Sequence, residues 1–565
     1  MVEALIVDLG IIFVAAGALL FVANQFRLPT IPFYLLAGLA VGWTIGLDEL
    51  LVLAQWGIAF LVFVFGIRLD LGDIQSVLRD GEVAAITQLL VVAPIAFAAG
   101  YVLGDLFGFA EPIRNAVYFS AAVTLSSTLV GAGMLEIEIR DNLVHGRLAS
   151  SIHFFDDLVA IALLLILSTE VITADAVSSK IGYGVVLIVA GLVIYRHGFP
   201  LLVRAADGSD ELVLMGSISI LVAFLAAAEY VGISIVVGAF AAGIAIRNDG
   251  TQSLAVGNGI DSIRDFFVTI FFVTVGALVS IPTLETATIA LVLVALVAVV
   301  NPIVLLLAFV YEGYDVRTAF FATSGLNQVS EFSLVIAIQA LLMGTITEAM
   351  FDAIILGAAV TMLLTAVARR TEEEMYSAVV SRFFTEQRTR KVDQYSRVAD
   401  ELSDHVVIVG YGRQGRRLIE TLEDLDRSYV VVENDPALYD RLEAECRNYV
   451  FGDAMSTYPW QKAGLEDAAL VVSTVDHRPV SEHLLELETD ADVVLRSDDA
   501  ERAAELVEAG ATYVTVPDIL AGEQLTEIVD GLLNDEIDAE TLATDHLDRL
   551  AELERYGFTA QREQY

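Results

Sequence analysis

The sequence predicts a multi-span α-helical membrane protein followed by a C-terminal α/β Rossmann-like domain. Three observations carry that prediction: an apolar excess confined to the first two thirds of the chain, an internal repeat within it, and a glycine-rich motif between two short strands beyond it. Apolar residues make up 56% of the 565 residues and the mean hydropathy is +0.66, too high for a soluble chain of this length. Up to Arg370 there are 14 Lys and Arg and 30 Asp and Glu, mostly between long apolar runs, whereas the rest holds 18 and 44. The expected division is a transmembrane domain over 1–370, a charged linker over 371–403, an α/β domain over 404–530 and an acidic helical tail over 531–565.

Runs of about 20 apolar residues predict thirteen spans, at 4–25, 30–46, 50–68, 82–107, 112–134, 143–169, 181–197, 210–230, 232–247, 265–281, 284–310, 315–341 and 350–368. The first has no basic lead and reaches full spanning length, so it reads as a span rather than a cleavable signal. Thirteen spans with the C-terminal domain in the cytoplasm place twelve arginines inside, from Arg27 to Arg370, and only Arg114 and Lys180 outside. That asymmetry is the one expected of a cell-membrane protein in this orientation. The net charge of −42 argues against nucleic acid, whose phosphates need a basic face, and points to a halophile's cytoplasm. The single cysteine, Cys446, excludes a disulfide framework and a cysteine metal site.

The repeat is visible in three echoes. "IPFYLLAGLAVG" from Ile31 answers "IVVGAFAAGIAI" from Ile235, "FVFGIRLDL" from Phe63 answers "VTVGALVSI" from Val273, and "IRNAVYFSAAVTLSS" from Ile113 answers "VRTAFFATSGLNQVS" from Val316. Span two then maps onto nine, three onto ten and five onto twelve. Seven spans is an odd number, so the halves are inverted across the membrane, as in secondary transporters.

Inside the apolar stretch "SSIHFFDDLVAIALLLIL", Ser150–Leu167, stand Asp156 and Asp157, and Glu331 is the other acid deep in a span. Intramembrane acids cost about 2.5–3.5 kcal/mol or more to insert and line ion paths. Ser150, His153 and Asp157 share one helical face, which makes Asp157 the candidate ligand, with Asp156 sharing the site and His153 in the surrounding network. Two carboxylates this close do not easily both ionise, so one can hold either a proton or a monovalent cation. Two polar patches at repeat-related positions predict broken helices that would supply oxygens. One is "VTLSSTLVGAG", with Thr124, Ser126, Ser127 and Thr128; the other is "TSGLNQVSEFS", with Asn327, Gln328, Ser330 and Glu331.

Through "FFDDLVAI", "TLSST", "GAFAAGIAI", "FFVTVGALVSI" and "NQVSEFSLV" the first 370 residues resemble the monovalent cation:proton antiporters of the Kef and Nap type. The resemblance implies alternating-access exchange of K⁺ or Na⁺ for H⁺, with the second acid of the pair, Asp157, as the ion- and proton-binding residue. The first position is Asp in sodium-type members and Gln in Kef-type members; here it is Asp156. Electrogenic members carry a Lys where this chain has Asn301.

In the C-terminal part, a four-residue apolar strand leads into Gly410-Tyr411-Gly412-Arg413-Gln414-Gly415 and a helical pattern, and a second strand ends at Glu433, followed by Asn434. Glycines so placed let a backbone approach a pyrophosphate, with the acid on the ribose hydroxyls. "GYGRQG", "VVEND", "GDA" and "GLEDAALVVSTVD" resemble a TrkA-N (RCK or KTN) domain. That likeness implies Asp453 and Ala454 at an adenosine pocket, Ser473 and Thr474 toward the ribose and phosphate, Arg413 on phosphate, and pairing into a homodimer. No hydride-transfer site accompanies the motif, so NAD(H), AMP or ATP is expected as a regulatory ligand rather than a co-substrate, and the chain is not expected to be an enzyme. The alternative, a nucleotide-gated potassium efflux channel, lacks a "TVGYG"-like filter.

Overall fold

The computed structural model describes residues 2–42, 47–68, 74–140, 143–167, 174–246, 254–380, 390–399, 402–435, 438–534, 537–544 and 546–547. The chain divides into two compact units, Met1–Thr385 and Glu386–Tyr565.

In the first unit a helix lies in each of the thirteen apolar segments. Among the described residues seven helices are long and apolar enough to cross a membrane, and four shorter apolar ones accompany them. The helices that build the site are α4 (Ile74–Thr87), α5 (Ala93–Leu106), α6 (Pro112–Thr124), α7 (Thr128–Met134), α9 (Val144–Leu167), α15 (Leu284–Ala295), α16 (Asn301–Glu312), α17 (Val316–Ser324), α18 (Glu331–Leu342) and α19 (Glu348–Arg369). The segments at 112–134 and 315–341 are each two half-helices, as the polar patches predict.

Three π turns interrupt long helices: Gln88–Val92, Ile194–Gly198 and Leu296–Val300. Each precedes a proline, Pro94, Pro200 or Pro302. Proline offers no N–H and its ring meets the carbonyl four residues back, so the helix widens ahead of it.

The repeat shows again in packing. At α2 (Thr30–Val41) against α14 (Leu254–Ala277), a Cβ on Gly38 would lie 2.0 Å from the Val273 carbonyl oxygen, and one on Gly276 would lie 2.1 Å from that of Leu35. At α3 (Leu47–Arg68) against α13 (Ile235–Ile244), a Cβ on Gly243 would lie 2.2 Å from the Phe63 carbonyl oxygen, and one on Gly66 would lie 2.6 Å from that of Phe240. These two glycine-dependent contacts exchange under the repeat, since α2 corresponds to α13 and α3 to α14.

The second unit is a six-stranded parallel sheet in the order β3-β2-β1-β4-β5-β6. The strands are β1 His405–Val409, β2 Tyr429–Glu433, β3 Tyr449–Phe451, β4 Ala468–Ser473, β5 Asp492–Arg496 and β6 Tyr513–Thr515. Strands β1 and β2 are buried along their whole length, which explains their unbroken valine and isoleucine runs. The order reverses between β1 and β4, the crevice where such sheets bind ligands. The stretch expected as a linker is divided: Val392 is buried in this unit's core, and Arg397 bridges antiparallel to Tyr449. Of the tail, 548–565 lies outside the described residues.

Candidate functional site

The two interrupted helices cross at their breaks. In the first, Leu125 and Ser127 are extended, with ψ 128° and 116°. In the second, Ser330 is extended with ψ 145°. Ser126 pairs antiparallel with Val329, and the Ser330 N–H donates to the Leu125 carbonyl at 3.0 Å. This miniature sheet satisfies backbone groups that no water could reach at this depth. Helix α19 completes it: Thr361 Oγ1 accepts from the Val329 N–H at 3.2 Å, and Thr365 Oγ1 donates to the Asn327 carbonyl at 2.8 Å.

The carboxylates converge on this crossing, and all three are buried. Asp156 Oδ2 accepts from the Ser126 N–H at 2.8 Å, from Ser126 Oγ at 2.6 Å and from Gln88 Nε2 at 3.4 Å. Asp157 Oδ2 accepts from Thr128 Oγ1 at 2.8 Å, while its Oδ1 is buried without a partner. Glu331, the first residue of α18, reaches across to the start of α7. Its Oε2 accepts from Ser127 Oγ at 2.6 Å and its Oε1 from the Leu129 N–H at 3.2 Å. Glu331 and Asp157 interact electrostatically. Among the described residues no Lys or Arg pairs with any of the three. Helix N-termini take that place: α7 and α18 both begin here, and each presents free N–H groups and a partial positive charge.

The remaining expected residues fall around the crossing in different roles. His153 Nδ1 lies 3.2 Å from Ser126 Oγ, so the histidine joins the Asp156 side of the network, not the Asp157 face read from spacing. Gln328 Nε2 donates to the Gly325 and Ser127 carbonyls at 2.8 and 3.1 Å. Asn301, from α16, donates through Nδ2 to the Leu326 carbonyl at 3.4 Å. Ser330 Oγ accepts from the Phe332 N–H at 3.1 Å and caps α18. Thr124 Oγ1, Asn301 Oδ1, Asn327 Oδ1 and Gln328 Oε1 are buried oxygens without partners. Sequence reasoning missed Gln88, Thr361 and Thr365. For Gln88 a signal existed: it is the one amide side chain in the apolar run "AAITQLLVVAP".

Within this unit one cavity approaches the crossing and a second lies at the far end of α18. One of 720 Å³ lies at the end carrying Arg27, Arg264, Arg369 and Arg370, and reaches Leu129 and Val130, next to Thr128. Another, of 320 Å³, is lined by Gln55, Glu229, Ser234 and Gln339.

The second unit gathers its expected residues at the C-terminal ends of β1–β4. Gly410 has φ +92°, which favours glycine. A Cβ on Gly415 would stand 2.1 Å from the Gly410 carbonyl oxygen, whereas one on Gly412 would meet nothing within 4 Å. The loop is therefore compact behind and open in front, at the N-terminus of the helix Arg413–Asp424, where Arg413 and Gln414 are exposed. This arrangement fits a nucleotide phosphate. Glu433 is buried and accepts from the N–H groups of Tyr411, Asn434 and Asp435 at 2.6, 2.7 and 2.8 Å. Burial pushes its carboxyl up from the usual range, and those three donors oppose the shift. Thr474 Oγ1 donates to the carbonyls of Val409 and Gly410, Ser473 Oγ accepts from the Val475 N–H at 3.4 Å, and Asp453 Oδ1 accepts from the Met455 N–H at 2.9 Å. The Ala454 carbonyl accepts from Trp460 Nε1 at 2.8 Å.

Known proteins match both units. The family described as "Sodium/hydrogen exchanger, transmembrane" matches residues 11–370, and the TrkA-N domain matches 406–517. A putative K(+) efflux antiporter, KefB of Alkalimonas amylolytica, is 26% identical over 92% of this chain and 80% of its own length. A putative cation/proton antiporter, YbaL of Escherichia coli, is 25% identical over 90% of this chain and 94% of its own. Among solved structures, the sodium proton antiporter MjNhaP1 of Methanocaldococcus jannaschii matches with a TM-score of 0.52 at 14% identity. That match covers 66% of this chain and 98% of MjNhaP1 and concerns the fold alone.

Proposed function

The chain belongs to the sodium/hydrogen exchanger family, is built as a cation:proton antiporter with a TrkA-N domain, and from that premise we propose how its site exchanges ions. Asp157 binds the proton and the alkali cation in turn. The observation that carries this assignment is the contrast between the two acids: one Asp156 oxygen holds three donors, whereas Asp157 keeps one oxygen buried and unpartnered. A carboxylate oxygen in that position needs a positive occupant, and a proton and K⁺ or Na⁺ each meet the need but not together. Unpartnered oxygens of Thr124, Asn301, Asn327 and Gln328 are the candidates to complete the shell. The 720 Å³ cavity serves as the cytoplasmic approach and the 320 Å³ cavity as the outer one, opened alternately.

In the second unit Gly410–Gly415, Arg413 and Glu433 would hold a nucleotide such as NAD(H), AMP or ATP, whose pyrophosphate or phosphate meets the helix N-terminus. Its part is regulatory, through differential binding to two states of the protein. Pairing of these domains makes the protein a homodimer in the cell membrane, with the C-terminal unit in the cytoplasm. The acidic surface suits a halophile.

The test is exchange in proteoliposomes loaded with a pH-sensitive dye, with K⁺ and Na⁺ compared under a proton gradient. Asp157→Asn should abolish exchange with both ions while the protein stays folded. Normal exchange by that variant would remove Asp157 from the site.

A further inference from the structure

We infer that Gln88 is a positioning residue for exchange, an amide delivered by a π turn that fixes Asp156 and the open end of α6 so that Asp157 alone is left to bind the cation. The inference rests on the assignment of Asp157 made above. Gln88 is 1% exposed, in a helix whose neighbouring turn is otherwise Leu and Val. Burying an amide in that setting is costly unless it bonds. It does so at two points of the first break: Nε2 donates to the Thr124 carbonyl and lies 3.4 Å from Asp156 Oδ2.

The Thr124 carbonyl is the C-terminal end of α6, which carries about half a negative charge. Facing a cation path, that carbonyl would compete with Asp157 for the ion. Gln88 covers it with a neutral donor and gives Asp156 a further partner besides Ser126. Asp156 is thereby held to the first break.

The repeat supplies an independent argument. The second break receives the same treatment from the corresponding helix. A π turn, Leu296–Val300, begins 208 residues after the turn at Gln88, and each precedes a proline, Pro94 or Pro302. Asn301, directly after the second turn, donates to the Leu326 carbonyl at 3.4 Å, just beyond the end of α17. In both repeats, therefore, an amide beside a π turn donates to a carbonyl at or just past the broken end of a half-helix, Gln88 as the first residue of its turn and Asn301 as the residue after its own. One such contact could be incidental packing. Two on repeat-related helices, each beside a π turn ahead of a proline but five residues apart in register, define a device.

The experiment compares full-length wild type, Gln88→Met and Pro94→Ala in proteoliposomes, with initial exchange rates measured against K⁺ and Na⁺ concentration. Met keeps the volume and removes the donor; Pro94→Ala keeps Gln88 and removes the cause of the π turn. Loss of a hydrogen bond to a charged group predicts a rise of about tenfold in the cation KM of both variants, with the maximal rate changed far less. A change confined to protein yield or maximal rate, with KM at the wild-type value in either variant, would overturn the inference. If Gln88→Met does not yield monodisperse protein, Pro94→Ala alone decides by the same KM criterion. Asp157→Asn is measured in parallel. Exchange by Asp157→Asn would reject the assignment of Asp157, whereas its inactivity beside a wild-type KM in Gln88→Met would reject only the role of Gln88.

Discussion

The bond between Glu331 and Ser127 joins the two halves of the membrane unit, and its removal should be measurable as a coupling energy. Glu331 Oε2 accepts from Ser127 Oγ at 2.6 Å and Oε1 from the Leu129 N–H at 3.2 Å. Hydrogen bonds to a charged group contribute about 1.5–3 kcal/mol each when buried, against about 1 for neutral pairs. Glu331→Gln keeps the shape but loses the charge, and with it the attraction to the N-terminus of α7, so it should cost about 2–4 kcal/mol. Ser127→Ala removes the same contact and also the N-cap of α7, where Ser127 Oγ accepts from the Val130 N–H at 3.2 Å. The cap adds about 1 kcal/mol to that loss. Since Ser127→Ala removes the bond that Glu331→Gln only weakens from charged to neutral, the double variant should be more stable than the sum of the singles predicts, by about 1 kcal/mol. The assay is reversible unfolding of the full chain in mixed micelles by dodecyl sulfate titration, followed by helical circular dichroism. Additivity of the two substitutions within about 0.5 kcal/mol would show that Glu331 does not bond across the repeats, and the crossing drawn above would be wrong.

Four further outcomes follow from the second unit. Gly415→Ala should abolish nucleotide binding in a fluorescence or calorimetric titration, because the new methyl would lie 2.1 Å from the Gly410 carbonyl oxygen. Gly412→Ala, which meets nothing within 4 Å, should leave the fold intact and weaken nucleotide affinity alone. Cys446 is buried, and burial pushes its thiol up to about 12. At pH 8 only about one thiol in ten thousand is then ionised, so iodoacetamide should label it in denaturant and not in the native protein. For Glu433, a carboxyl raised by burial contributes stability that is complete below the unfolded value of about 4.3 and is lost as pH rises through the folded one. Glu433→Gln should flatten the fall in thermal stability over that window.

Much of this architecture is legible in the residues, and the illegible part has a common cause. The breaks at Leu125–Ser127 and before Ser330 could be read because Ser, Thr, Asn and Gly cluster at repeat-matched places. The glycine loop could be read because a strand precedes it and an acid ends the next strand. What spacing could not supply is which side chain of one helix meets which break of another. On α9, the i, i+3, i+7 rule grouped His153 with Asp157, yet Ser126 Oγ bonds both His153 and Asp156. The partner came from the other chain segment and drew the histidine toward itself. Gln88 stayed hidden because a single amide in an apolar run resembles a tolerated impurity until the π turn rotates it inward. The division at Met1–Thr385 and Glu386–Tyr565 was blurred by composition, since the residues around Val392 are charged in sequence but contribute one buried side chain to the second unit's core.

The electrostatics of the crossing explain why a site with three buried acids and no basic partner can exist at all. Each acid meets a different compensation. Glu331 lies against the first turn of α7 and begins α18, so two helix ends share its charge. Asp156 takes both donors of Ser126 and the Gln88 amide. Asp157 has the Thr128 hydroxyl only. Were all three ionised, the last would face Glu331 and Asp156 with one donor to offset them, a state that low dielectric punishes severely. The deficit at Asp157 is about one positive charge, and among the described residues no arginine or lysine pairs with any of the three carboxylates to fill it. On the proposal that Asp157 binds the exchanged ions, a proton would fill it, and so would a dehydrated alkali ion. Simultaneous occupancy would restore the opposite imbalance. In this reading the exclusion of one by the other needs no further gate: it follows from leaving one buried carboxylate oxygen without a donor.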